Sequence, residues 1–273
     1  MRHSFFNKLA GILLAVILPT NFLSCKDGKV KKDVERLNEA QCPYDYGEFA
    51  TLDSMAYHDK EFFMFYSIDD GYLNINKLNS NPVAAKKLFQ LIMLEYSGET
   101  RDLLDEINDD GGGVGLYFTG TPSKSTFKVD LTNKELDEAL SMKAEKSQDD
   151  IYLMVQKRST DLNSPLRVDE ITFLVGAELN DKQFVYNYIV DDSDFDMSLL
   201  DCNQLKQINM QQFSQILRDP TNRFMGQILR KLFNACINTN RNMVYTYKGK
   251  YSKRTIIVSY TPKELREEIL MQD

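Results

Sequence analysis

Residues His58-Asp59-Lys60-Glu61-Phe62-Phe63-Met64-Phe65-Tyr66-Ser67-Ile68-Asp69-Asp70 have a counterpart later in the chain. Shifted by 122 positions, 58 onto 180, they lie over Asn180-Asp181-Lys182-Gln183-Phe184-Val185-Tyr186-Asn187-Tyr188-Ile189-Val190-Asp191-Asp192. The same shift sets Cys42-Pro43 over Ser164-Pro165, without a gap between the two matches. Polar residues, aromatic residues and the closing pair of aspartates recur in the same order, which is too ordered for chance.

A second block aligns at a shift of 129, with 120 falling on 249, so the later copy carries seven extra residues. Gly120-Thr121-Pro122-Ser123-Lys124-Ser125-Thr126-Phe127-Lys128-Val129-Asp130-Leu131-Thr132-Asn133-Lys134-Glu135-Leu136 lies over Gly249-Lys250-Tyr251-Ser252-Lys253-Arg254-Thr255-Ile256-Ile257-Val258-Ser259-Tyr260-Thr261-Pro262-Lys263-Glu264-Leu265. The chain is thus a tandem duplication of a unit of about 100 residues. Two copies of that length are too few and too long for a solenoid. Two similar domains, or one pseudo-twofold body, are expected. The first repeat covers 42–140 and the second 164–273, with a partly helical connector at 141–163.

Within each copy the aromatic and β-branched runs read as strands. Phe49 to Tyr57 with Glu61 to Ile68, and Ile171 to Leu179 with Gln183 to Val190, form hairpins turned by His58-Asp59-Lys60 and Asn180-Asp181-Lys182. A helical middle follows, from Pro82 to Tyr96 and from Thr100, as a cap, to Ile107; its later counterparts are Leu205 to Leu217 and Arg223 to Ile237. A second strand pair joins Val114 to Thr119 with Thr126 to Leu131, and Met243 to Lys248 with Arg254 to Tyr260. Thr132-Asn133-Lys134-Glu135 and Thr261-Pro262-Lys263-Glu264 are capping boxes, each starting a final helix. Helices from Lys29 to Ala40 and Gln148 to Arg158 precede the copies. The fold class expected is α+β: a tandem duplication of an α-β-β-α-α-β-β-α unit, with antiparallel sheets and helices packed on one face.

Upstream of the repeats, a basic start (Arg2, Lys8) precedes an apolar run from Leu9 to Leu18, then Pro19-Thr20-Asn21-Phe22-Leu23-Ser24-Cys25. The apolar run is too short to span a bilayer, and its flanks are those of a secretory signal peptide. Leu23-Ser24-Cys25 resembles the lipobox of bacterial lipoproteins, and Lys26-Asp27-Gly28-Lys29 is somewhat similar to the export tag of envelope lipoproteins in the Bacteroidota. The resemblance implies removal of residues 1–24, lipid attachment at Cys25 through diacylglycerol and palmitate-type acyl chains, and residence at the outer membrane. It leaves the leaflet open. Residues 25–41 become a tether and lead-in helix. Several acyl chains give the stable anchoring that one chain does not.

Of 33 basic and 40 acidic residues in the whole chain, Arg2 and Lys8 leave with the signal, so the remainder carries 31 against 40, a net −9. An acidic total argues against nucleic acid as a partner. Cys42, Cys202 and Cys236 remain; a Cys202–Cys236 bridge and free thiols both stand as readings.

Chemistry is sparse. The one histidine after the signal, His58, sits in a turn with no nucleophile tied to it by sequence, and no metal site or cofactor is expected. Asp109-Asp110-Gly111-Gly112-Gly113-Val114-Gly115 follows a helix and precedes a strand, the reverse of a phosphate loop, and reads as a helix stop. Asp69-Asp70 and Asp191-Asp192 could serve as paired carboxylates of a glycan or cell-wall hydrolase, or could shape turns.

The strongest departure from a bland composition is a charge run. From Asn203 to Arg254 ten basic residues face a single acid, Asp219. Arg218, Arg223, Arg230, Lys231, Arg241, Lys248, Lys250, Lys253 and Arg254 are candidates for a surface that meets an anionic envelope polymer or an acidic protein. Neutralisation against the acidic first copy, or scatter over a solvated surface, is the competing reading. The expected role is a lipid-anchored, non-catalytic envelope protein that binds or scaffolds a macromolecule, with a carboxylate-based hydrolase as the alternative.

Overall fold

The computed structural model describes residues 26–45, 50–69, 75–95, 99–142, 146–219 and 223–271. The segment read as a signal peptide and lipobox, with Cys25, lies outside them, as do Phe49, Asp70 and Tyr96. The chain forms two compact units that meet in sequence between Ile151 and Tyr152.

In the first unit the order is α1 (Lys26–Gln41), β1 (Tyr44–Asp45), β2 (Ala50–His58), β3 (Glu61–Asp69), α2 (Ile75–Ser80), α3 (Pro82–Glu95), α4 (Glu99–Asp109), β4 (Gly113–Thr121), β5 (Thr126–Leu131) and α5 (Asn133–Met142). Then come α6 (Gln148–Asn163), β6 (Leu166–Arg167), β7 (Thr172–Leu179), β8 (Gln183–Val190), a single 3-10 turn at Met197–Leu199, α7 (Cys202–Arg218), α8 (Arg223–Asn238), β9 (Asn242–Gly249), β10 (Thr255–Tyr260) and α9 (Pro262–Leu270). The units are mixed α+β and alike, as the duplication requires. Each holds a five-stranded sheet, ordered β1-β2-β3-β4-β5 and β10-β9-β8-β7-β6.

Both expected hairpins form in each unit, and what joins them is parallel. β3 runs parallel to β4 from Glu61↔Gly113 to Asp69↔Thr121, and β8 parallel to β9 from Gln183↔Asn242 to Val190↔Gly249. The helices between the hairpins form the crossover that a parallel pair needs, which is why β4 and β9 re-enter in the direction of β3 and β8. β1 and β6 are two-residue edge strands too short to leave a periodic signal.

Alternation puts Phe62, Met64, Tyr66 and Ile68 of β3 into the core with Val114, Leu116 and Phe118 of β4. Phe118 stacks on Tyr66 at 5.3 Å and on Phe89 of α3 at 4.9 Å. The second unit fills the same space with tyrosines. Tyr188 stacks on Tyr247 at 5.0 Å, and Tyr245 meets Tyr260 and Phe213, each at 5.9 Å. Buried hydroxyls need partners: Asn209 donates to the Tyr247 hydroxyl at 3.2 Å, and Tyr260 donates to the Lys206 carbonyl at 3.2 Å. Burial pushes the Tyr247 phenol up to about 12.

Shared details show how closely the copies agree. Thr132 and Thr261 close capping boxes, with Glu135 and Glu264 accepting from the cap N–H at 2.9 and 2.8 Å. The same glutamates pair with Lys86 and Lys206. Helices α4 and α8 stop at a left-handed residue, Gly111 (φ +77°) and Asn240 (φ +53°), the two residue types that tolerate that conformation best. A bulge interrupts β2 between Leu52 and Ser54 and β7 between Leu174 and Gly176. The N–H groups of Met55 and Ala177 beside it are taken by side chains of the lead-in helices, Asn38 at 2.6 Å and Asp161 at 3.0 Å. One helix start differs from its reading: Thr100 lies inside α4, buried, instead of capping it.

Candidate functional site

Asp191-Asp192 follow directly on strand β8, and these two residues fix the tip of the β9–β10 hairpin. Lys250 donates its N–H to the Val190 carbonyl at 2.9 Å, which extends the parallel pairing past the strand end. The Asp191 carboxylate takes the Lys250 ammonium at 2.9 Å. Asp192, itself buried, accepts from the N–H of Tyr251 at 2.8 Å and of Ser252 at 3.1 Å. The Ser252 side chain first, and then the backbone N–H of Tyr251, pull the Asp192 carboxyl down to about 2. Lys250 and Ser193 likewise hold Asp191 below the ordinary carboxylate range.

Space at the tip is used up. A Cβ on Gly249 would stand 2.7 Å from Met197 Sδ and closer still to Ser252 Oγ and Asp192 Oδ2. Lys253 takes a left-handed φ of +59°, as Lys124 does at +58° in the first copy. Under the tip, Val190, Met197 and Ile256 form a small buried core backed by Phe195, Leu200, Leu205 and Tyr247.

This framework presents Lys250, Tyr251, Lys253 and Arg254 outward. Tyr251 is 59% exposed, with the Lys250 ammonium 5.0 Å from its ring centre. Beside the tip a shallow groove of about 410 Å³ runs between Ser198–Cys202 and Arg254–Ile257. Its rims carry Leu199, 78% exposed, and Ile257, 58% exposed. Asp201 closes one end as the cap of α7, accepting from the N–H groups of Asn203 and Gln204. Asp196 caps the 3-10 turn, and Ser198 and Arg254 hold its carboxyl below the ordinary range.

The nine basic candidates do not form one surface. Lys248, Lys250, Lys253 and Arg254 gather at the hairpin end of the second sheet. Arg241 precedes β9 at the opposite end, donating to the Asn180 carbonyl at 2.7 Å; Gly249 closes the eight-residue strand that follows it, about 25 Å away. Arg218 ends α7, and Arg230 and Lys231 belong to α8, where Lys231 lies 4.2 Å from the Tyr152 ring centre. The side chain of Arg223 falls outside the described residues.

The other candidates have structural work. His58 is exposed and contacts Asp59 at 3.0 Å. Asp110 accepts from Tyr57 at 3.3 Å and lies 3.5 Å from Lys60, tying α4 to the β2–β3 turn. The glycines after it follow from tight backbone packing: a Cβ on Gly112 would collide with the Lys60 carbonyl. Asp69 is exposed at the end of β3, opposite Thr121. Among the described residues no group of His, Cys, Asp and Glu side chains suits a metal ion. Cys42, Cys202 and Cys236 are in no disulfide with one another.

Sequence reasoning passed over Leu199, Tyr251 and Ile257. The signal for Ile257 was present in the repeat alignment, since the matching residue of the first copy is Lys128: an outward strand position had changed from a cation to an apolar side chain.

No protein family and no curated protein matches the chain. A solved structure from Pseudomonas aeruginosa, described as a "putative secreted protein", is similar over 42% of this chain and 99% of its own, at 14% identity and a TM-score of 0.32. Among the described residues no helix is long and apolar enough to cross a membrane.

Proposed function

We propose that the chain is a lipid-anchored, non-catalytic protein of the bacterial cell envelope, held at the outer membrane through Cys25, and that its second repeat binds a macromolecular partner carrying acidic groups. The observation that supports the binding role most directly is the β9–β10 tip, where the Lys250 ammonium lies 5.0 Å from the exposed ring of Tyr251 and the exposed residues Lys253 and Arg254 follow in the same turn. Exposed aromatic and arginine side chains beside a rigid scaffold are what binding hot spots are made of. Exposed cations in this turn favour an acidic partner and speed its encounter. An acidic protein surface fits this mixed ring-and-cation patch better than a uniformly charged polymer, because the apolar rim of Leu199 and Ile257 continues from it. The anchor rests on Leu23-Ser24-Cys25 placed after a basic start and a short apolar run.

Two measurements test the proposal. Palmitate labelling of cells should mark the native chain and leave Cys25→Ala unlabelled; label retained in that variant would remove the anchor assignment. Envelope proteins crosslinked to the native chain should be lost with a Tyr251→Ala, Arg254→Glu double substitution that leaves the melting temperature unchanged. An unaltered crosslinking pattern would place the binding surface elsewhere.

A further inference from the structure

Strand β10 is one edge of the second sheet, and among the described residues no strand pairs with its outer side. The Arg254 carbonyl accepts from Gly249 N–H, so the residues in step with it, Ile256 and Val258, turn their backbone groups toward β9. Thr255, Ile257 and Ser259 then turn theirs outward. Ile257 confirms the phase: its carbonyl accepts a weak bond from the exposed thiol of Cys202, at 3.1 Å, from outside the sheet.

An open edge invites another strand, and proteins usually block it with a charge. The first copy does so. β5 carries Thr126, Lys128 and Asp130 where β10 carries Thr255, Ile257 and Ser259, and Lys128 is paired with Asp130 at 3.0 Å. The second copy has replaced both charged positions. In their place stands Ile257, 58% exposed, with the groove and the exposed Leu199 alongside.

What the edge fits is written in its own sequence. Thr255-Ile256-Ile257-Val258-Ser259 reads alike in both directions: a hydroxyl residue at each end, β-branched apolar residues between. Laid antiparallel against a second copy about a twofold axis at Ile257, Ile257 meets Ile257, Thr255 meets Ser259, and Ile256 meets Val258. Every pair is of matched chemistry. The outward groups at 255, 257 and 259 are those that an antiparallel pair exchanges, and the N–H of one Ile257 takes the carbonyl position that Cys202 now holds weakly. We infer that a second copy of this chain docks on β10, edge to edge, joining the two second-repeat sheets into one. The two Cys202 thiols then flank the axis. The pairing rests on β10 alone and uses none of Lys250, Tyr251 and Lys253, although it covers Ile257, which also rims the patch proposed above. It is an interface of few residues, so it is weak in dilute solution and is strengthened wherever the chains are concentrated together.

Analytical ultracentrifugation of the chain from Lys26 onward, over the widest range of concentration that solubility permits, tests this. The expected result is a weight-average mass that climbs toward twice the monomer value. Ile257→Lys, the residue that the first copy already has, and Ile257→Glu should both hold the mass at the monomer value with melting temperatures unchanged. A short thiol-to-thiol crosslinker should give a dimer band that Cys202→Ser abolishes and Cys236→Ser retains. A monomer at every concentration, or a dimer indifferent to both substitutions at 257, overturns the inference. If one charged variant is unfolded, the other variant and the Cys202 crosslink still decide.

Discussion

Consider replacing Gly249 by alanine at the end of β9. The added methyl carbon would stand 2.7 Å from Met197 Sδ, and nearer to Ser252 Oγ and Asp192 Oδ2. None of the three can easily retreat. Met197 is fully buried in the small core under the tip; Asp192 is held by two N–H donors; Ser252 Oγ accepts from the N–H of Arg254 at 3.2 Å. Relief therefore needs a shift of the backbone, and overpacking of this kind costs about 2–3 kcal/mol. In a unit of this size, with roughly 2–4 °C lost per kcal/mol, the melting temperature should fall by about 4–12 °C. Thermal unfolding followed by circular dichroism measures it. Gly28→Ala supplies the control, because a Cβ at that position in α1 meets nothing within 4 Å; it should leave stability unchanged or raise it by up to about 1 kcal/mol, as alanine does for glycine inside a helix. If Gly249→Ala melts with the native protein, the hairpin tip is looser than its contacts imply, and the rigid presentation of Lys250 and Tyr251 fails with it.

Thr132→Ala and Thr261→Ala should each destabilise by about 1 kcal/mol, the usual loss for a threonine cap, in chemical denaturation; a neutral result in only one copy would show that its box is not formed in solution. The Asp192 carboxyl, pulled down to about 2 by Ser252 and Tyr251, favours the folded state above the ordinary carboxylate value near 4, and that contribution disappears as pH falls through about 2. Carbon-detected titration should show the Asp192 resonance moving only below about pH 3; a midpoint near 4 refutes the hydrogen bonds to it. A thiol reagent should modify exposed Cys202 quickly in the native chain and buried Cys236 only after denaturation; equal rates would contradict the packing of α8.

The reason so much of the fold was legible is that periodicity and capping act locally. Alternation in Glu61 to Ile68 and the box at Thr261-Glu264 demand a strand and a helix start whatever surrounds them. The parallel seam depended instead on how the helices of each crossover bridge two hairpins, which no single segment encodes. Thr100 read as a cap because it precedes an apolar stretch, yet burial inside α4 is what its neighbours allow. The basic run dispersed for a geometric reason. Arg241 and Lys250 are close in sequence, but a strand carries its two ends far apart, and α7 and α8 take the remaining bases to the helical layer. Ile257 shows the opposite case: comparing the copies position by position pointed at the edge strand better than composition did.

The parallel seam also sets how these units assemble. Hairpins close within microseconds, but β4 must find β3 across 52 residues, from Phe62 to Val114, and β9 must find β8 across 59, from Phe184 to Met243. Closing such a loop is the entropic toll of the topology, and it grows only with the logarithm of its length. The seven residues by which the second crossover exceeds the first therefore add about 0.1 kcal/mol. Lengthening was almost neutral at that place and would have broken the ladder anywhere inside the sheet. The crossover is the stretch in which the two copies can differ in length and still fold alike.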